Sequence, residues 1–256
     1  MRNPVTAELR RTFSTSVYAW RLALALAIAA ALLAPSAATA WVWTPSGDDV
    51  QARVQALVAS RGAPLLSEDE VPSQLAEAVV AIEDERFYQH HGIDSVGLGR
   101  AVLYDVTNLC LCQGGSTITQ QLVKDAYLGG SDHGYNKLEG MVLALKVERI
   151  LGKKRILADY LSEITTGFGR YGVTNAACTY FHAPLKGLTL GQYALLAGVT
   201  QAPSVYDPTI NPDLAAQRRA QVLRAMESEG YITTDEARAA ALEPVLVAST
   251  SPRACG

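Results

Sequence analysis

From Leu22 to Thr44 the chain carries no charged side chain, and Arg21 stands directly before the run. About 20 apolar residues suffice to cross a bilayer. Arg2, Arg10 and Arg11 load the N-terminal side with positive charge, while Trp41 and Trp43 fall where an interfacial aromatic belt sits. An uncleaved transmembrane anchor over residues 22–44 keeps residues 1–21 cytoplasmic and places all that follows outside. A cleaved signal peptide is the competing reading, because the densest apolar stretch is only Leu22 to Ala34. Ala38-Thr39-Ala40 would then be the cleavage site. Both readings export the rest of the chain. Cys110, Cys112, Cys178 and Cys255 fit an oxidising compartment, with Cys178 expected as a small core residue.

The exported part is mainly α. Aromatic residues make up 7% of the chain, and its abundant Ala and Leu favour helices. Of the 256 residues 49% are hydrophobic, enough for one sizeable core in two lobes. The formal net charge of -3 lacks the basic footprint of a nucleic-acid binder. Residues 45–64 are polar and punctuated by Gly, Ser and Asp, so they read as a stalk. The domain proper spans residues 65–240, and residues 241–256 read as a loose tail.

Leu75, Val79 and Ile82 recur at helical spacing, so a helix is expected from Pro72 to Tyr88 with one buried face. On a helical wheel Glu83 falls on the shoulder of that face and Asp84 points away. A carboxylate at such an edge is partly shielded from water, a setting that suits a general base. Further on, Thr117 and Gln120 satisfy the capping-box pattern, which starts a helix directly after Gly114-Gly115. The free N–H groups of that helix end make a natural anion site. Thr117, Gln120, Gln121 and Lys124 are expected along one polar stripe. Tyr135 to Ile164 reads as one long helix, or two joined near Gly152, with Leu138, Met141, Val142 and Leu145 as its apolar face.

Glu83-Asp84-x-x-Phe87-x-x-His90-x-Gly92 resembles the first signature of the peptidoglycan glycosyltransferases, family 51, and Gly114 through Lys124 resembles the second. Gly167 to Phe181 and Leu188 to Pro208 resemble the fourth and fifth. The resemblance covers about residues 65–240. It implies a lysozyme-like two-lobed glycosyltransferase domain behind a transmembrane helix, and the monofunctional form, since no transpeptidase-sized segment follows. It also suggests that Val96 to Leu111, otherwise readable as core, dips into the outer membrane leaflet. Glu83 takes the role of catalytic base. Asp84, Phe87, His90, Ser116, Thr117, Gln120, Gln121, Lys124 and Lys137 are expected to bind substrate. The third signature is altered: Lys137 is kept, but Asn136 stands for the Arg, Ser162 for the final Asn, and Gly140 occupies the second Glu position. Two readings stay open for the second catalytic carboxylate: a local irregularity near Gly134 to Gly140 swings Glu139 into the cleft, which is the favoured one, or the second acidic role is dispensable here. Gly140 is expected to answer a local need such as close backbone approach. Glu148 is read as an ion-pair partner.

The function so implied is polymerisation of lipid II, with the muramyl end of the donor chain passed to the 4-hydroxyl of an acceptor N-acetylglucosamine and undecaprenyl diphosphate released. A divalent cation (Mg or Mn) on the diphosphate is expected by analogy, and no organic cofactor. Expected partners are lipid II, the nascent glycan strand and the membrane, with transpeptidases or division and elongation proteins beside them. Two alternatives stand: a lysozyme-like hydrolase or lytic transglycosylase, and a non-catalytic scaffold that binds lipid-linked glycan.

Overall fold

The computed structural model describes residues 24, 38–108, 115–167 and 169–245. Most of the expected membrane segment lies outside these residues, as do Cys110, Cys112, Cys255 and the tail from 246 onward. No helix among the described residues is long and apolar enough to cross a membrane. The chain divides after Pro45; before that point residues 38–43 are helical and the Thr44 hydroxyl donates to the Ala40 carbonyl oxygen (2.6 Å). The second unit starts at Ser46.

Among the described residues of that second unit, the regular structure is helical apart from one small hairpin. Its helices are α1 (Val50–Ser60), α2 (Ser73–Glu83), α3 (Ser95–Asn108), α4 (Ile118–Leu128), α5 (Tyr135–Ile150) and α6 (Lys153–Glu163). The hairpin of β1 (Thr165–Gly167) and β2 (Arg170–Tyr171) follows. The chain then forms α7 (Val173–Phe181), α8 (Leu190–Val199), α9 (Pro212–Ser228) and α10 (Thr234–Leu242). α8 is the hub. Ala194, Leu195, Leu196 and Ala197 are all buried, and the helix packs against both α2 and α9. A second packing group joins α4 to α5 and α6.

The segment read as a stalk is part of the core. Val50, Val54 and Val58 of α1 are buried, and the helix packs on α4 and α6. Its spacing of four puts one apolar stripe inward, while polar residues on the other faces gave the stretch its stalk-like composition. The C-terminal boundary also moves outward, because the Glu243 and Ala241 carbonyl oxygens accept from buried Arg219 (2.6 and 2.9 Å). Cys178 is not a free core thiol: it is disulfide-bonded.

α2 stops at Glu83, short of the expected Tyr88, because Asp84 leaves helical space at φ −159°, ψ 70°. Gly152 separates α5 from α6, as one of the two sequence readings had it. The buried face of α5 differs from the expected one. It consists of Gly140, Leu143, Ala144, Lys146 and Val147, and Leu138 is exposed. Gly92 selects that face: a Cβ there would lie 2.6 Å from the Ala144 carbonyl carbon, and its φ of +95° favours glycine. The backbones of loop and helix thus meet where no side chain intervenes. α3 is not core either; Ala101 is buried, but Val96, Leu103, Tyr104 and Val106 are exposed.

Candidate active site

A cleft of about 1080 Å³ opens beside the C-terminal end of α2. Its walls come from Glu83 and Asp84, from residues 94–104 around the start of α3, from Ser116, Thr117, Gln121, Lys124 and Asp125 at the start of α4, and from Thr200, Gln201 and Arg218. Glu83, with 12% of its side chain exposed, sits at the end of α2. Its Oε2 accepts from Gln121 Nε2 (3.0 Å), and its Oε1 lies 3.8 Å from the Arg218 guanidinium. Tyr160 donates in turn to Gln121 Oε1 (3.4 Å). The carboxylate is therefore oriented from two sides and open on the third.

Asp84 turns the other way, into the protein. Its Oδ2 accepts from the Ile118 backbone N–H (3.0 Å), and His90 Nε2 lies 2.9 Å from Oδ1 and 3.0 Å from Oδ2. One carboxylate thus fastens the loop after α2 to the first turn of α4, where unpaired N–H groups need acceptors. Thr117 completes the joint: its hydroxyl donates to the Gly92 carbonyl oxygen (2.7 Å) and accepts from Gln120 N–H (3.1 Å). Gln120 returns the bond to Thr117 N–H (2.9 Å), closing the expected capping box.

A buried polar group backs this wall. Lys153 Nζ donates to Glu148 (2.8 Å to Oε1) and stands 4.3 Å above the Phe87 ring. Glu148 also accepts from Thr119, so its expected ion-pair role is met. Burial lowers the Lys153 ammonium from its ordinary value, with Glu148 opposing.

The family profile described as Transglycosylase matches residues 48–227. A Cupriavidus necator protein, whose name assigns it provisionally as a transglycosylase, is 43% identical over 68% of this chain and 75% of its own length. The chain belongs to the peptidoglycan transglycosylases, glycosyltransferase family 51. It is also 41% identical to penicillin-binding protein 1F of Bacillus subtilis, over 67% of this chain, and 42% identical to penicillin-binding protein 1A of Vibrio cholerae, over 70%. Within this family, it spans only 24% and 22% of the length of those two relatives.

The family motifs therefore divide into two groups. Glu83, Ser116, Gln121 and Lys124 line the cleft, as do Asp84 and Thr117, although these last two are spent on internal bonds. Phe87 and His90 are buried and lie outside the cleft lining; His90 holds Asp84, and Phe87 packs under Lys153. The wheel misplaced Asp84 because α2 ends one residue before it. Gln120 is buried in its capping box and reaches only a small side cavity, which Lys137 also lines. Lys137 Nζ donates to Ser116 Oγ (2.6 Å).

Glu139 lines neither cavity. α5 runs unbroken through Gly140, so the 100° step between neighbours keeps Glu139 off the cleft side, and the expected irregularity is absent. Nor does Gly140 answer a backbone approach: a Cβ there would meet only Leu128 Cδ1, at 3.4 Å.

Arg218 was not foreseen at this transglycosylase site. It is buried, donates to Gln221 (3.0 Å) and the Gly198 carbonyl oxygen (3.4 Å), and faces Glu83. Burial lowers its guanidinium from the ordinary value, and the Glu83 charge opposes that. The signal was available: Arg218 falls three residues after Ala215 and four before Val222, on the apolar stripe of α9.

A second unforeseen group is Glu163, fully buried, which accepts from Arg61 and lies beside Asp125 of the cleft wall. Burial, reinforced by Asp125 and opposed by Arg61, pushes its carboxyl well above the usual carboxylate range. The folded protein therefore keeps a proton that the unfolded chain releases near pH ~4.3. The unfolded state binds fewer protons in that window, so stability falls as pH rises from about 4 towards the raised value. Glu163→Gln is expected to flatten this decline in urea melts across pH; an unchanged slope would show that Glu163 is not its source.

Proposed function

We propose that this chain polymerises lipid II into glycan strands on the outer side of a cell membrane, held there by its apolar N-terminal segment. One juxtaposition carries the reading: a single cleft contains both the oriented Glu83 carboxylate and the Lys124-bearing first turns of α4. Glu83 accepts the proton of the acceptor 4-hydroxyl. That oxygen then bonds to the anomeric carbon of the donor's muramyl sugar as the bond to undecaprenyl diphosphate breaks, and Glu83 later yields its proton to water. Lys124 and Lys137 meet the charge that grows on the leaving diphosphate, which is the main electrostatic task of such a transfer. The exposed apolar residues of α3 at the cleft's edge, Leu98 and Tyr104, support a lipid-facing position for the donor's tail.

A divalent cation, Mg or Mn, belongs in this reading to the substrate, carried on its phosphate oxygens. Two of the cleft carboxylates are already engaged, Glu83 by Gln121 and Arg218 and Asp84 by His90 and Ile118 N–H. Among the described residues no group of three or more His, Cys, Asp or Glu is placed to hold a metal.

Incubating the purified chain with lipid II and separating products on a gel tests the proposal. Long glycan polymer is the expected product. Muropeptides released from isolated sacculi, without polymer from lipid II, would instead favour a hydrolase or lytic enzyme; lipid II binding with neither product would favour a scaffold. Glu139→Gln is expected to leave polymerisation within about a factor of two, as for a substitution away from the chemistry. A tenfold loss would put Glu139 back in the reaction.

A further inference from the structure

Beside the main cleft lies a cavity of about 30 Å³, sharing Ser116, Gln121 and Lys124 with it and bounded beyond them by Asn136, Lys137 and Gly140. That volume holds one or two waters, or a ligand of a few heavy atoms. Two lysines line it against one acid, Asp132, whose Oδ1 stands 3.3 Å from His133 Nδ1. Lys124 has no hydrogen bond or ion pair among the described residues, and Lys137 donates only to the neutral Ser116 hydroxyl. The cavity therefore has an excess of positive charge.

Gly140 accounts for the space. It sits in the second turn of α5, where glycine is a poor helix former. Neither a positive φ nor a neighbouring backbone requires it, since an added Cβ would meet only the tip of Leu128. A missing side chain and an unbalanced lysine pair thus coincide.

We propose that this side cavity binds a small carboxylate-type anion, of the formate, acetate or bicarbonate class, between Lys124 and Lys137. The anion stands where a side-chain carboxylate at position 140 would otherwise sit. The small volume selects against larger anions, and the Asn136 amide and Ser131 hydroxyl, also in the lining, supply further hydrogen bonds. Three or four heavy atoms limit the affinity to a Kd no tighter than about 0.5 mM for formate and about 0.04 mM for acetate or bicarbonate. Occupancy does not depend on the proposed polymerase reaction, so its test needs no lipid substrate.

Carbon-13 formate is titrated against the purified chain at constant ionic strength, balanced with sodium chloride, and its NMR line width is followed. The wild type is expected to broaden the line saturably. Gly140→Glu, which supplies the carboxylate from the chain itself, should abolish that broadening, as should Lys137→Ala. Thermal melts establish that each variant is folded, and Lys137→Ala carries the comparison alone if Gly140→Glu does not fold. No broadening by the wild type, or equal broadening by the wild type and every folded variant, overturns the proposal.

Discussion

Glu83→Gln is expected to lower polymer formation by about 10²–10⁴-fold, the usual contribution of a positioned general base. The amide is nearly isosteric, and its oxygen can still accept from Gln121 Nε2, which lies 3.0 Å from the native carboxylate. It cannot take the acceptor's proton. Arg218 loses its counter-charge at 3.8 Å but keeps its bonds to Gln221 and the Gly198 carbonyl oxygen, so the variant should remain folded. Initial rates on lipid II beside circular dichroism separate the two effects. Near-wild-type rates in a folded variant would remove Glu83 from the base role.

Asp84→Ala is expected to destabilise the fold by about 2–6 kcal/mol, at about 1–3 kcal/mol for each of two buried hydrogen-bonding partners left unsatisfied. The substitution strips His90 of its partner and leaves the Ile118 N–H of α4 without an acceptor, both in buried surroundings. Because α4 carries Gln121 and Lys124, the loosened joint should also misplace cleft residues. Urea unfolding measures the first effect. Unchanged stability with a raised KM alone would make Asp84 a substrate contact and not a structural tie.

Local grammar in the chain was readable where the interaction is itself local. Thr117 and Gln120 stand three apart, and their reciprocal bonds begin α4 as expected. Gly152 parted two helices for the same kind of reason. What escaped depends on tertiary partners. A helical wheel assumes an unbroken helix, so it could not anticipate that Asp84 turns inward after Glu83 to cap a helix formed by residues more than thirty positions on. Arg218 reaches Glu83 from the far part of the chain, and only its place on the apolar stripe of α9 hinted at burial. Composition misled for residues 50–60, where a three-valine stripe inside a polar segment is enough to seat a helix in the core. For Glu139, the missing carboxylate at position 140 invited a distortion that the regular geometry of α5 does not contain.

One base, acting on an acceptor hydroxyl opposite the departing diphosphate, requires a single displacement at the anomeric carbon. The most direct measurement is therefore the anomeric configuration of the newly made linkage, read by NMR on polymer from isotope-labelled lipid II. Inversion relative to the donor is the result expected from Glu83 working alone in the cleft. Retention would require a covalent or second-nucleophile route, for which the Glu83, Gln121 and Arg218 arrangement makes no provision, and would contradict the account.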